Sequence, residues 1–216
     1  NSRQRAEVAV SCHDELPSLT PAGGSGWRVL KGAVQLDAGE VATLTREAAE
    51  APRSVFNPDT RRRQLQLDPS HSLVQKFKAA LVKASLLEGR DFGLCVALHS
   101  KVDCARQYWH TDYKPADVAT VARSGACTPR SAILALEAGT RLCVSPHNST
   151  YAVELLLEVG DILVFDGDMV HAGSAYPDRA NTRLHVYLEV DGIRRPPDTT
   201  WKVDTVLAIA GPFLAQ

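Results

Sequence analysis

From Phe92 to Val190 the chain is a train of short apolar runs broken by turn residues, and no other feature limits its fold as much. The runs cover residues 92–99, 102–113, 131–137, 141–145, 151–158, 161–165 and 183–190, with Gly139-Thr140 and Gly160-Asp161 among the breaks. Short strands with turns at such intervals predict a sandwich or barrel. Residues 117–123 read as a helical turn inside a loop of this region.

The preceding half has a different pattern. Residues 1–26 are polar and turn-rich, with Pro17, Pro21, Gly23, Gly24 and Gly26, and read as an irregular arm. Residues 27–36 predict a strand. Asp37 offers an N-cap for a helix over 38–51 that Pro52 stops, with Val41, Leu44 and Ala48 toward the core. A loop over 52–63 ends in Arg61-Arg62-Arg63. That run is either a solvated stretch of charge or a basic lip for an anionic substrate. A short strand over 64–67 follows. A second helix is capped by Asp68 or Ser70, tolerates Pro69 in its first turn, and ends at Gly89. Its apolar side is Leu73, Val74, Phe77, Ala80, Leu81 and Leu87. The 216 residues thus divide into an arm (1–26), a helical support region (27–90), a strand-rich core (91–192) and a C-terminal extension (193–216), all in one domain. The apolar tail over 206–214 is expected to pack back on the domain or on a second subunit.

Charge and cysteine content narrow the partners. The formal net charge of −1 argues against non-specific, charge-driven binding to nucleic acid or to membrane. No apolar run approaches the ~18 residues that span a bilayer. The five cysteines, Cys12, Cys95, Cys104, Cys127 and Cys143, form no Cys-x-x-Cys pair. Reduced thiols are the expectation, and with them an intracellular (cytoplasmic or nuclear) protein.

The chemistry lies between Gln107 and Arg183. His110 and Asp112 are two residues apart, so on an extended strand an imidazole and a carboxylate point the same way. His171 follows the apolar run 161–165 and supplies a second imidazole. Two His and one carboxylate on one face of a metal, with open positions opposite, is the ligand set of non-haem Fe(II) oxygenases. A His-x-Asp tripeptide alone is weak; the strands around it carry the reading. Trp109 and Tyr113 flank the first ligands and either line a substrate pocket or fill the core. With the loop over 114–130 they are expected at the pocket mouth, the loop serving as a lid.

The pattern His110-x-Asp112, then His171, then Arg183 on a later strand resembles the Fe(II)/2-oxoglutarate-dependent dioxygenase superfamily. The resemblance covers roughly the C-terminal half. It implies a mainly β double-stranded β-helix (jelly roll) core with supporting N-terminal α-helices. It implies Fe(II) on His110, Asp112 and His171, with Arg183 holding the distal carboxylate of 2-oxoglutarate. Ascorbate can serve as the reductant. Many members have Ser or Thr two residues after that arginine; here the position is His185, which either replaces the hydroxyl contact to the co-substrate or signals a different one. The implied reaction consumes 2-oxoglutarate and O2, releases succinate and CO2, and hydroxylates a C–H bond. Nucleobase, protein side chain and small metabolite all stay open as substrate, and nucleic acid gains weight if Arg61–Arg63 face the mouth. The alternatives are a cupin-like binding protein, a catalytically silent relative, or a metal-dependent hydrolase or isomerase.

Overall fold

The computed structural model describes residues 25–52, 61–147, 149–193, 195–196 and 199–204, and the backbone of 208–214. The arm expected over 1–26 thus lies almost wholly outside the described residues, as do Cys12 and most of the loop before Arg61.

The elements in chain order are β1 (Trp27–Leu30), α1 (Ala38–Glu50), β2 (Arg62–Gln66), α2 (Ser72–Lys83), β3 (Asp91–Ser100), β4 (His110–Thr111), α3 (Pro115–Arg123) and β5 (Arg130–Ala135). There follow β6 (Thr140–Val144), β7 (Tyr151–Leu157), β8 (Ile162–Asp166), β9 (His171–Gly173), β10 (Asn181–Glu189), β11 (Trp201–Lys202) and β12 (Ala208–Leu214). They form two six-stranded sheets, in the orders β1-β8-β5-β10-β3-β2 and β11-β4-β9-β6-β7-β12. All pairings are antiparallel except β12 on β7, which is parallel. The apolar tail thus adds a strand to the second sheet, and both sheets recruit strands from outside residues 91–192.

Strand alternation builds two cores from one sheet. On β5 and β8, Ile133, Ala135, Leu163 and Phe165 face the second sheet and pack on Leu142, Val144, Leu155 and Leu157. Their neighbours Ala132, Leu134, Ile162 and Val164 face the other way and meet Leu44, Ala48, Phe77 and Leu81 of the two helices. With both faces buried, these strands read as continuous apolar runs.

Local chemistry sets the boundaries. The Asp37 side chain accepts from the Glu40 N–H at 2.8 Å and starts α1. The second helix starts later than expected. Asp68 closes a turn on Ser70 N–H at 2.7 Å, and the cap is His71, whose Nδ1 accepts from Leu73 N–H at 3.2 Å. This helix also ends at Lys83, well before Gly89. The largest departure is over 102–113, where only His110–Thr111 forms a strand. At Gly160, φ is +82° and a Cβ would stand 2.3 Å from the Val34 carbonyl oxygen, so only glycine fits the turn into β8. Among the described residues no helix is long and apolar enough to cross a membrane.

Phe77 is fully buried between α2 and the first sheet, with its ring edge-on to Phe92 at 5.9 Å. Phe77→Ala is expected to cost about 3–5 kcal/mol in urea unfolding. A loss under about 1 kcal/mol would mean that the helices are not part of the cooperative core.

Candidate metal centre

The shortest strand carries the site. β4 pairs with β9 through one residue pair, His110↔His171, which sets the two imidazoles side by side with ring centroids 4.3 Å apart. Asp112 follows on the same face. One ligand atom each from His110, Asp112 and His171 lie within 4.8 Å of one another, and all three residues are buried. Among the described residues no other such group of His, Cys, Asp or Glu occurs.

The backbone fixes the ring nitrogens. His110 Nδ1 lies 2.9 Å from the Tyr108 carbonyl, and His171 Nδ1 lies 2.9 Å from the Met169 carbonyl. Since a carbonyl only accepts, each Nδ1 carries the proton and each Nε2 keeps its lone pair. Burial, and then the neighbouring His171, pushes His110 down to about 3. Burial lowers His171 as well, against the pull of Asp112. Both rings are therefore neutral at neutral pH, the form in which imidazole binds a metal. Burial alone would raise the Asp112 carboxyl; the imidazoles of His171 and His185 outweigh it and hold the group below its usual range. Ser131 Oγ donates to Asp112 Oδ2 at 2.6 Å, and His185 Nε2 stands 3.4 Å from the same oxygen. Oδ1 faces His171 Nε2 at 3.7 Å. Two neutral imidazoles and an ionised carboxylate on one face could hold a divalent iron.

These shifts have a sign that can be tested. Each imidazole is neutral in the fold but takes a proton near its ordinary 6.5 once unfolded, so acid favours the unfolded chain. Stability is complete above 6.5 and falls as pH drops from there toward about 3. The expected slope is about 1.4 kcal/mol per pH unit for each excluded proton. Urea midpoints of metal-free protein from about pH 7 to about pH 5 should fall steeply, and less so for His110→Gln. A flat profile would contradict neutral buried rings.

The three groups open on a cavity of about 90 Å³, lined also by Arg62, Ser100, Tyr108, Arg183, His185 and Tyr187 among others. Arg183, His185 and Tyr187 share the inner face of β10, as alternation requires. Arg183 is 2% exposed. Its Nη1 donates to Ser100 Oγ at 3.2 Å, its Nε has no hydrogen-bond partner, and among the described residues no carboxylate pairs with it. A buried guanidinium without a counter-charge is costly unless an anion arrives.

Other expected residues stand elsewhere. Trp109 is buried in a small cluster with Cys143, Ala152 and Ala172 under the Arg106 guanidinium. Tyr113 is fully buried, packed edge-on to Tyr187. Neither lines the cavity, and neither does the segment 114–130, much of which is α3. Of the aromatics that flank the first ligands, Tyr108 is the one on the wall, where Phe165 and Tyr187 join it from the first sheet. Strand parity with His110 and Asp112 points to it, and places Trp109 and Tyr113 on the opposite face.

The Arg61–Arg63 run is not one lip. Arg61 is exposed and paired with Asp103 at 3.1 Å. Arg62 is buried and donates to Ser100 Oγ and to the carbonyls of Ala105, Gly173 and Ser174. Arg63 is half-buried on the cavity wall. Arg62 thereby ties the irregular 101–106 segment and the end of β9 to the first sheet. Gly173 leaves the room for it, since a Cβ there would stand 2.3 Å from Gln107 Oε1 and 3.2 Å from Arg62 Nη1.

No protein-family model and no curated protein matches the sequence. Solved structures do. HygX from Streptomyces hygroscopicus, with nickel and 2-oxoglutarate bound, is 14% identical, over 79% of this chain and 85% of that one, at a TM-score of 0.56. SnoN, a non-haem α-ketoglutarate-dependent epimerase from nogalamycin biosynthesis, is 16% identical over 87% and 93%, at 0.56. A Pseudomonas putida prolyl-4-hydroxylase is 18% identical over 78% and 94%, at 0.51. This chain has their fold. It is a jelly roll, mainly β with outer helices, and the candidate metal centre sits between the two sheets.

Proposed function

We propose that the protein is a non-haem Fe(II)- and 2-oxoglutarate-dependent oxygenase that hydroxylates a C–H bond. One observation carries the reading: three neutral-or-anionic metal ligands and a buried, uncompensated arginine open on the same small cavity. His110 Nε2, His171 Nε2 and an Asp112 oxygen would hold the iron, which when bound supplies O2 activation coupled to decarboxylation of the co-substrate. Arg183 would take the distal carboxylate of 2-oxoglutarate, since a planar guanidinium suits bidentate binding. Ser100, already in contact with Arg183, would share that carboxylate as the hydroxyl does in the usual arrangement. His185 stands against Asp112, so its contact is with the metal ligand. The three ligands are buried between the sheets, and Tyr108 and Tyr187 bound the space that would face the primary substrate.

SnoN of the same fold is an epimerase, and HygX has been solved with hygromycin B bound, so small molecules join nucleobases and protein side chains in the substrate panel. The test is incubation with Fe(II), ascorbate and 2-oxoglutarate, with succinate measured and each substrate class screened for gain of one oxygen atom. Succinate that needs iron and vanishes in His171→Ala is expected. Tight binding of both iron and 2-oxoglutarate without succinate in any arm would make the protein the silent relative instead.

A further inference from the structure

We propose that Arg195 is a positioning residue for the carboxylate ligand, and that the C-terminal segment carrying it is a built part of the metal centre. This rests on the metal-binding reading above. The starting point is a weakness of the fold. β4 is two residues long and meets β9 through one residue pair. Asp112 lies beyond that ladder; past it Tyr113 N–H donates to the Gly167 carbonyl at 2.9 Å, which leaves the Asp112 carbonyl to another partner.

The C-terminal segment supplies what the ladder lacks. β11 pairs with the other side of β4, Trp201 opposite Thr111 and Lys202 opposite His110, and Val203 N–H donates to the Trp109 carbonyl at 2.8 Å. Ahead of β11, Thr200 Oγ1 lies 3.1 Å from Tyr108 Oη, and both residues line the cavity. Arg195 then reaches Asp112 itself. Its Nε donates to the Asp112 carbonyl at 3.0 Å, and its Nη2 donates to Tyr187 Oη at 2.9 Å and to the Thr199 carbonyl.

A second route leads from Arg195 to the same residue. Its guanidinium carbon stands 3.7 Å from the Tyr187 ring centroid. That ring packs edge-on against His185 at 4.6 Å, and His185 Nε2 is 3.4 Å from Asp112 Oδ2. Arg195 therefore holds the main chain of Asp112 directly and backs the imidazole that holds its side chain. Such outer partners commonly matter 10- to 100-fold in metal affinity.

The test is Co(II) titration of the metal-free full chain, read by affinity and by the visible ligand-field spectrum. Arg195→Met keeps the length and the packing on Tyr187 but removes every donor. It should weaken Co(II) binding by about 10- to 100-fold and alter the spectrum, while circular dichroism matches wild type. Arg195→Lys, with one donor left, should recover part of both effects. Lys83→Ala, at an exposed position on α2, should change neither. A folded Arg195→Met protein with wild-type affinity and spectrum overturns the proposal, as does an Arg195→Lys protein identical to wild type if the Met variant does not fold. Wild-type protein that takes up no Co(II) overturns the metal-binding reading as well, and so separates the two failures.

Discussion

Arg183→Ala is expected to raise the 2-oxoglutarate requirement by about 10²-fold or more while leaving metal uptake near wild type. The guanidinium is buried, touches Ser100, and has no carboxylate partner among the described residues. A charge-assisted pair formed there would be worth a few kcal/mol, and about 1.4 kcal/mol is tenfold in affinity. The effect should appear in KM for 2-oxoglutarate at saturating iron and in calorimetric binding to metal-loaded protein. Arg183→Lys keeps a charge but loses the planar fork, so it should fall between. An unchanged requirement in Arg183→Ala would mean that another residue or another co-substrate is in use, with His185, also on the cavity wall, the first place to look.

The second large effect is on the metal. His110→Ala, Asp112→Ala and His171→Ala should each remove Fe(II) uptake at stoichiometric protein, a loss well beyond the ~10- to 100-fold of an outer partner. Each variant should still fold, because the three ligands belong to neither aliphatic core of the first sheet, although Ile133, Leu142 and Phe165 of the inner one border their cavity. His171→Ala is the most demanding case. Its ring packs against Phe165 at 4.8 Å as well as against His110, so some loss of stability accompanies the loss of metal. Full occupancy in any of the three, measured as iron per chain after anaerobic gel filtration, would exclude that residue from the set.

Much of this was legible in the sequence because two periodicities are clean. β5, β8 and β10 are buried on both faces, so they announce themselves as apolar runs between turns. His110 and Asp112 share parity on an extended strand, and the structure brings His171 to them. The failures have physical causes too. Residues 102–109 carry enough Val, Tyr and Trp to suggest a strand, but their backbone partners include the Arg62 guanidinium and the Gly173 backbone, contacts that no local pattern encodes. Trp109 and Tyr113 were expected at the pocket because they are large and near; alternation puts them behind the strand and selects Tyr108. The same rule separates Arg62, turned inward, from Arg61 outside. Ser131, Ser100 and Arg195 have no sequence signal at all, since each acts on a residue far along the chain.

The central claim is that the metal triad and Arg183 form one receptor for metal and diacid together. Anaerobic calorimetric titration of 2-oxoglutarate into metal-free and Fe(II)-loaded protein tests it most directly. One equivalent should bind the loaded protein, at least about 10²-fold more tightly than the metal-free chain, and by linkage 2-oxoglutarate should tighten iron binding by the same factor. Equal affinity with and without iron, or no iron uptake at all, would contradict it.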